Sequence, residues 1–195
     1  MNNLVKFAVP IAVAIIAGTT AQAQDCPVSI IEPFDLTESD IASIYDCIGD
    51  KMVVAYSKGG DTVAKNYRGW TVTATRHAVD GTHGNGLLLT YANDIAAEQY
   101  LKFAEQGVVM PVGSQLAKES IRINATKSAA EVGPLTLMTK LETGASPETG
   151  DWLYGGIQPN GNPMRLQQAS CHNCHISWED QDYLGYPIEE VRVGN

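Results

Sequence analysis

The sequence predicts an α+β fold in which an antiparallel β-sheet is flanked by helices. One long amphipathic segment near the amino terminus is followed by several segments rich in β-branched and aromatic residues, and the links between these segments are short. Eighteen glycines argue against a four-helix bundle. With 195 residues, 44% of them hydrophobic, the chain has enough apolar material for one domain.

The first predicted element is a helix over residues 37–58. Thr37 to Asp40 resembles a capping box with Asp in place of Glu or Gln, and apolar residues follow at helical spacing until Gly59-Gly60. A second helix is predicted from residue 94 to 106, because Asp94 is a suitable cap and Gly107 a suitable stop. Strands are predicted at 67–75, 87–92, 115–124, 133–141 and 152–157, with a loop over 78–86.

The first 23 residues are typical of a secretory signal peptide. Lys6 gives a positive amino-terminal region, residues 7–17 form an apolar run, and Ala21-Gln22-Ala23 has the small-x-small pattern of a cleavage site. The apolar run is shorter than the about 20 residues that span a membrane. We therefore expect cleavage, export to the periplasm, no membrane attachment afterwards and one domain over residues 24–195. An uncleaved amino-terminal anchor is the alternative.

The charge of the chain excludes one class of partner. Asp and Glu number 22 against 13 Lys and Arg, which gives a net charge of −9. Nucleic-acid binding needs a basic patch that neutralises phosphates, and the sequence has no cluster of Lys and Arg. No nucleic acid is expected as a partner, and an anionic membrane surface is disfavoured for the same reason.

A Cys-x-x-Cys-His motif lies near the carboxyl terminus, at residues 171–175. This is the attachment signature of c-type haem, in which Cys171 and Cys174 bind the porphyrin and His175 is the proximal iron ligand. A thioredoxin-like redox pair, half of a zinc site and a plain disulfide are the alternatives. The late position disfavours the first, and a zinc site would need a second ligand pair. The motif therefore predicts one covalently bound haem c.

The two remaining cysteines, Cys26 and Cys47, are expected to form a disulfide because an exported chain meets an oxidising compartment. Closing a loop of this length contributes about 3 kcal/mol to the free energy of unfolding in the chain-entropy model. The bond would tie down residues 24–60, an amino-terminal helical segment. Two free buried thiols are the alternative.

Four short motifs, in order along the chain, resemble the cytochrome P-460 family. They are Asn66-Tyr67-Arg68-Gly69-Trp70, the segment from Gly113 to Glu119 that ends in Lys-Glu, Glu148-Thr149-Gly150-Asp151-Trp152, and the haem motif. The resemblance covers roughly residues 65–183. It implies an antiparallel sheet flanked by helices, a homodimer and a five-coordinate haem c. Known members oxidise hydroxylamine or, as the related cytochromes c′-beta, bind nitric oxide and carbon monoxide.

Lys118 matches a family position at which the lysine of the enzymes is joined covalently to the porphyrin. Strand alternation puts Leu116, Lys118, Ser120 and Arg122 on one face of their strand. The resemblance implies that Lys118 lies in the haem pocket, as a cross-link or as a distal-pocket residue. A lysine in such a pocket would have a pKa lowered by desolvation and a more nucleophilic amine. A solvent-facing strand lysine is the alternative.

Two departures from the family pattern bear on activity. Leu88 stands where the hydroxylamine oxidisers have a distal arginine, and the segment 165–170 lacks the acid that precedes their haem motif. Hydroxylamine oxidation removes protons and needs a base near the iron. Glu119 and Glu142 are candidate replacements. An apolar distal side with Leu88 suits a neutral diatomic ligand better.

Three functions therefore remain open. The protein is expected to bind a small diatomic or nitrogenous ligand at five-coordinate iron, or to oxidise such a species as an enzyme. A periplasmic electron carrier with six-coordinate haem is the alternative, and either redox role requires a partner protein. Candidate sixth ligands for the carrier are Met110, Met138, Met164, His77 and His83.

Overall fold

Helices flank an antiparallel sheet in the computed structural model, which describes residues 26–81 and 83–194. The expected α+β class is confirmed. The predicted signal peptide at residues 1–23 lies outside the described residues. Within those ranges, none of the helices has the length and apolar character needed to cross a membrane.

The longest helix, α1 (Glu38–Ser57), begins at the predicted capping box. The side chain of Thr37 accepts a hydrogen bond from the backbone of Asp40, and the Asp40 carboxylate accepts one from the backbone of Thr37. The buried face of α1 packs on the sheet through Ile41, Ile44, Ile48, Met52 and Tyr56. The other α-helices are α2 (Thr62–Asn66), α3 (Asp94–Tyr100) and α4 (Gln168–His175).

Eight strands form the sheet in the described ranges, and every pair is antiparallel. They are β1 (Cys26–Pro27), β2 (Thr71–Val72), β3 (Ala78–Asp80), β4 (Gly86–Ala92), β5 (Gln115–Asn124), β6 (Ala129–Val132), β7 (Leu135–Lys140) and β8 (Trp152–Ile157). The central strand β5 pairs with β4 along one edge. Along the other edge, its first half pairs with β7 and its second half with β6.

The strands β6 and β7 part beside Ser120, where only glycine fits. A Cβ atom on Gly133 would lie 2.3 Å from the Ser120 hydroxyl oxygen, because the two backbones approach closely there. The backbone of Gly133 donates to the carbonyl of Ser120, and its own carbonyl accepts from the buried Tyr56 hydroxyl. This junction joins α1 to the middle of the sheet.

Three predicted elements differ from the structure. Residues 67–69 form a 3₁₀ turn rather than a strand, because Tyr67 and Arg68 turn inward to a buried carboxylate. The helix α3 stops at Tyr100 because Phe103 adopts a positive φ of 45° and packs against Tyr100. The predicted loop over 78–86 contains β3, and the short strand β6 has no β-branched pattern that would have revealed it.

Each face of the sheet packs into a separate hydrophobic core. One face carries Leu87, Leu89 and Tyr91 and packs against α1, which is tied to β1 by a Cys26–Cys47 disulfide. The other face meets α4 and the carboxyl-terminal segment, with a second core of Trp152, Tyr154, Leu184 and their neighbours. The haem motif lies on this second side.

Candidate haem site

The helix α4 brings Cys171, Cys174 and His175 against the end of the sheet. Gln168 fixes the helix there, because its side-chain amide accepts a hydrogen bond from the backbone of Tyr154 and donates one to the Tyr154 carbonyl, each at 2.8 Å. The two cysteines do not form a disulfide with each other. Burial raises the pKa of the Cys171 thiol.

A cavity of about 370 Å³ lies between α4 and the sheet. The residues of α4 that line it include both thiols and His175, Leu184 and Tyr186 come from the carboxyl-terminal segment, and the sheet contributes residues of β4, β5, β7 and β8. This volume is within the range of about 300–1,000 Å³ that is typical of cofactor pockets. The sheet-wall residues are Thr90, Leu116, Lys118, Thr136, Met138 and Tyr154.

The ring of His175 is buried and has a fixed orientation. Its Nδ1 donates a hydrogen bond of 2.7 Å to the carbonyl oxygen of Tyr183, which can only accept. The Nε2 atom therefore carries the lone pair that is available to a metal. Burial lowers the pKa of His175, and the charge of Lys118 lowers it further. The ring is thus neutral at neutral pH, the form that binds iron.

A buried ion pair holds the turn that presents this carbonyl. Asp182 and Tyr183 have positive φ angles of 54° and 64°, a conformation that is costly for residues other than glycine. The Asp182 carboxylate accepts hydrogen bonds of 2.7 Å from Lys140 Nζ and from the backbone of Met110. Trp152 donates to the Asp182 carbonyl at 2.9 Å. These contacts fix the turn, and through it the ring of His175.

Lys118 is on the wall of this cavity, between Thr90 on β4 and Thr136 on β7. Lys118 and His175 line the same cavity. The structure therefore brings together four residues of the predicted site, Cys171, Cys174, His175 and Lys118.

Leu88 has a different position from the one expected. On β4, Leu88 lies two residues before Thr90 on the same face of the sheet. Thr90 is on the wall of the large cavity, whereas Leu88 lines an adjoining cavity of about 20 Å³. Thr90, Lys118 and Thr136 thus form a polar row where an apolar surface was expected. Every second residue of β4 lies on this face, because side chains alternate along a strand. Which of them reaches the cavity depends on the register of β4 with its neighbours, which the sequence does not give.

Neither carboxylate proposed as a replacement base lines the cavity. Glu119 is fully buried on the opposite face of β5, within hydrogen-bonding distance of Tyr67, Arg68 and Tyr91. Glu142 is exposed in the turn after β7. Burial alone would raise the pKa of Glu119, but His77, whose Nε2 lies 3.2 Å away, and Arg68 outweigh burial and lower it.

Of the five candidate sixth ligands, His83 and Met138 line the cavity. The ring centres of His83 and His175 are 6.5 Å apart. His77 instead lies beside Glu119, Met110 is buried in the core, and Met164 packs against Gly156.

Sequence reasoning missed Asp182, Tyr183 and Gln168. Tyr183 acts through a backbone carbonyl, which has no residue signature, and Asp182 acts through the turn that it stabilises. One signal was present. Trp152 in the third motif donates to Asp182, and Gly150 packs against the Tyr183 ring, so this motif supports the turn behind the histidine.

A buried histidine with a fixed tautomer and two unpaired cysteines around one cavity have the donor set and space of a haem site. The comparisons with known families agree: the model described as Cytochrome P460 matches residues 64–185. The chain belongs to the cytochrome P460 family and is a haem cytochrome of that family. A search of curated proteins finds no match to it.

Proposed function

We propose that the protein is an exported cytochrome with one haem c that binds, or transfers electrons to or from, a small nitrogen species such as nitric oxide or hydroxylamine. The observation that carries the proposal is that the His175 ring, held by Tyr183, lines the same cavity as both thiols of the motif. A haem in this cavity would supply an iron ion that binds a small ligand and exchanges single electrons.

The chain's own residues have separate tasks. Cys171 and Cys174 hold the porphyrin edge, and His175 binds the iron through Nε2 while Tyr183 fixes its ring. Leu184 and Tyr186 contribute apolar surface to the wall of the cavity. Lys118 places its amine at the sheet wall, as a distal-pocket residue or as a covalent link to the porphyrin.

The composition of the cavity wall favours a ligand that needs no proton acceptor. Among the described residues that line it, none is Asp or Glu. Deprotonation of hydroxylamine by a carboxylate, as the sequence comparison implies for the oxidising members, is therefore unsupported here. Nitric oxide and carbon monoxide need no proton acceptor, so binding of a diatomic gas is the preferred form of the proposal. It requires a sixth iron position that is vacant, as in a five-coordinate haem, or readily exchanged.

The test is spectroscopic titration of the reduced holoprotein with carbon monoxide and nitric oxide. We expect both gases to shift the Soret band with saturation at one ligand per haem, and hydroxylamine to reduce an acceptor dye slowly or not at all. An unchanged spectrum with both gases would overturn the proposal of gas binding. Rapid hydroxylamine-dependent reduction would instead support the enzyme.

The second candidate is a periplasmic electron carrier with six-coordinate haem. The observation in its favour is the short separation of His83 from His175. The two functions differ in one result, because a carrier with a tight sixth ligand would not bind carbon monoxide. A redox partner protein is proposed for either function.

We also propose that the exported protein is a homodimer. The proposal rests on the family resemblance, which implies a homodimer. The outer edge of β8 is occupied within the chain, because the backbone of Tyr154 bonds to Gln168 and the carbonyl of Gly156 accepts from the backbone of Met164. A second copy would therefore pack on exposed side chains such as Leu153, which is 47% exposed. Light scattering of the purified holoprotein tests this, and a monomer mass at micromolar concentration would contradict it.

A further inference from the structure

We infer that His83 is the sixth ligand of the resting haem iron, and that a small ligand binds by displacing it. The inference rests on the proposed haem site and deepens it. In the absence of a ligand, His83 would then occupy the sixth coordination position of the iron, which would not be permanently vacant.

The separation of the two imidazole rings carries the assignment. Two imidazoles bound to opposite sides of one metal ion have ring centres about 6.4 Å apart, because each metal–nitrogen bond is about 2.0 Å and the nitrogen lies about 1.2 Å from its ring centre. The centres of His83 and His175 are 6.5 Å apart. Both rings line the same cavity, and Nδ1 of His175 is engaged elsewhere, which leaves Nε2 for the metal.

The same distance argues against a second role for His83. A histidine that donates to an iron-bound ligand, or takes a proton from one, must leave room for that ligand and for a hydrogen bond of about 2.9 Å. Its ring centre would then lie roughly 8 Å or more from that of the proximal histidine. His83 is too close to His175 for this role in the described conformation.

The position of His83 in the chain allows it to be displaced. It lies in the connection between β3 and β4, which pair from Ala78 with Leu88 to Asp80 with Gly86. Gly84 and Asn85 in this connection have positive φ angles of 91° and 53°. Surface connections of this kind open at a smaller free-energy cost than strands, so His83 can leave the cavity without disturbing the sheet.

The experiment compares the holoprotein with His83→Ala and with the control Met138→Leu. The control removes the other candidate sixth ligand on the cavity wall with little change in volume. We expect low-spin, six-coordinate ferric spectra for the wild type and Met138→Leu, and a high-spin spectrum for His83→Ala. Added imidazole should restore the low-spin spectrum of His83→Ala.

Carbon monoxide provides a second readout. Because His83 competes for the same iron position, its removal should lower the apparent dissociation constant of carbon monoxide by about tenfold or more. A wild-type spectrum that is already high-spin, or a His83→Ala spectrum that stays low-spin, would overturn the inference while gas binding stands. Loss of the proposed function is distinct, because neither protein would then bind carbon monoxide.

Discussion

Lys118 and Glu119 are consecutive on β5, yet their side chains lie on opposite faces of the sheet. Lys118 faces the cavity, whereas Glu119 accepts hydrogen bonds from Tyr67 and Tyr91 and pairs with Arg68 at 2.8 Å beneath α1. The Lys-Glu motif therefore serves two purposes. Its lysine contributes to the site, and its glutamate joins the Tyr-Arg motif to the centre of the sheet.

Glu119→Gln should lower the free energy of unfolding by about 3 kcal/mol at pH 7, because Arg68 and His77 lose a buried partner. The pKa of Glu119 is lowered in the folded state, so its contribution is complete above the unfolded-state pKa of about 4.3 and disappears as pH falls through the folded-state value. Urea unfolding at several pH values checks this.

The control for that variant is Glu131→Gln, which removes the more exposed ion pair with Lys127. Its effect should stay below about 1 kcal/mol, as is usual for surface pairs. Equal losses for the two variants, or a Glu119→Gln difference that does not decrease as pH is lowered from about 4.3, would contradict the role of the buried pair.

Asp182→Ala should weaken the orientation of His175. Removing the carboxylate leaves Lys140 partly buried without its partner and places Ala at a φ of 54°, so we expect a loss of about 3 kcal/mol in unfolding free energy. Asp182→Asn keeps an acceptor for Met110 and tolerates the positive φ, so it should lose less. In the His83→Ala background, where one imidazole remains on the iron, the iron–histidine stretching frequency of the reduced protein should shift when Asp182→Ala is added. An unchanged frequency would show that the turn does not position the ring.

Gly150→Ala should disturb the haem more than its position suggests. A Cβ atom there would lie 2.0 Å from the Tyr183 ring, so the residue that holds His175 must move. Gly144→Ala is the matched control, because Gly144 also has positive φ but has no atom within 4 Å of the added carbon. Its cost should be the backbone strain alone, about 1 kcal/mol. Identical thermal unfolding and spectra for the two variants would refute this reasoning.

The Cys26–Cys47 bond should leave no reactive thiol at these positions in denatured, unreduced protein. Cys26→Ser together with Cys47→Ser should lower the free energy of unfolding by about 3 kcal/mol, because the unfolded chain regains the freedom of a 21-residue loop. Thiol titration and urea unfolding measure these two effects. Two reactive thiols in the wild type, attributable to Cys26 and Cys47 by mass mapping, would contradict the bond.

Periodic patterns predicted the parts of the fold that depend on local sequence. The helix from Thr37 and the strands β5 and β8 follow from capping and alternation, and they match closely. The 3₁₀ turn at Tyr67 was not predictable, because the Tyr67 side chain donates a hydrogen bond to Glu119, which lies 52 residues away in the sequence. In the site, side-chain motifs indicated Cys171 and His175, whereas the carbonyl of Tyr183 and the approach of His83 depend on tertiary contacts.

The most direct test of the account is the intact mass of the purified holoprotein after acid–acetone extraction. The wild-type polypeptide should keep the mass of one haem, whereas the Cys171→Ala, Cys174→Ala double variant should lose its haem to the solvent. Haem that the double variant retains would locate a further covalent bond, with Lys118 as the residue to map. A wild-type polypeptide that loses its haem to the solvent, or never carries one, would contradict the central claim.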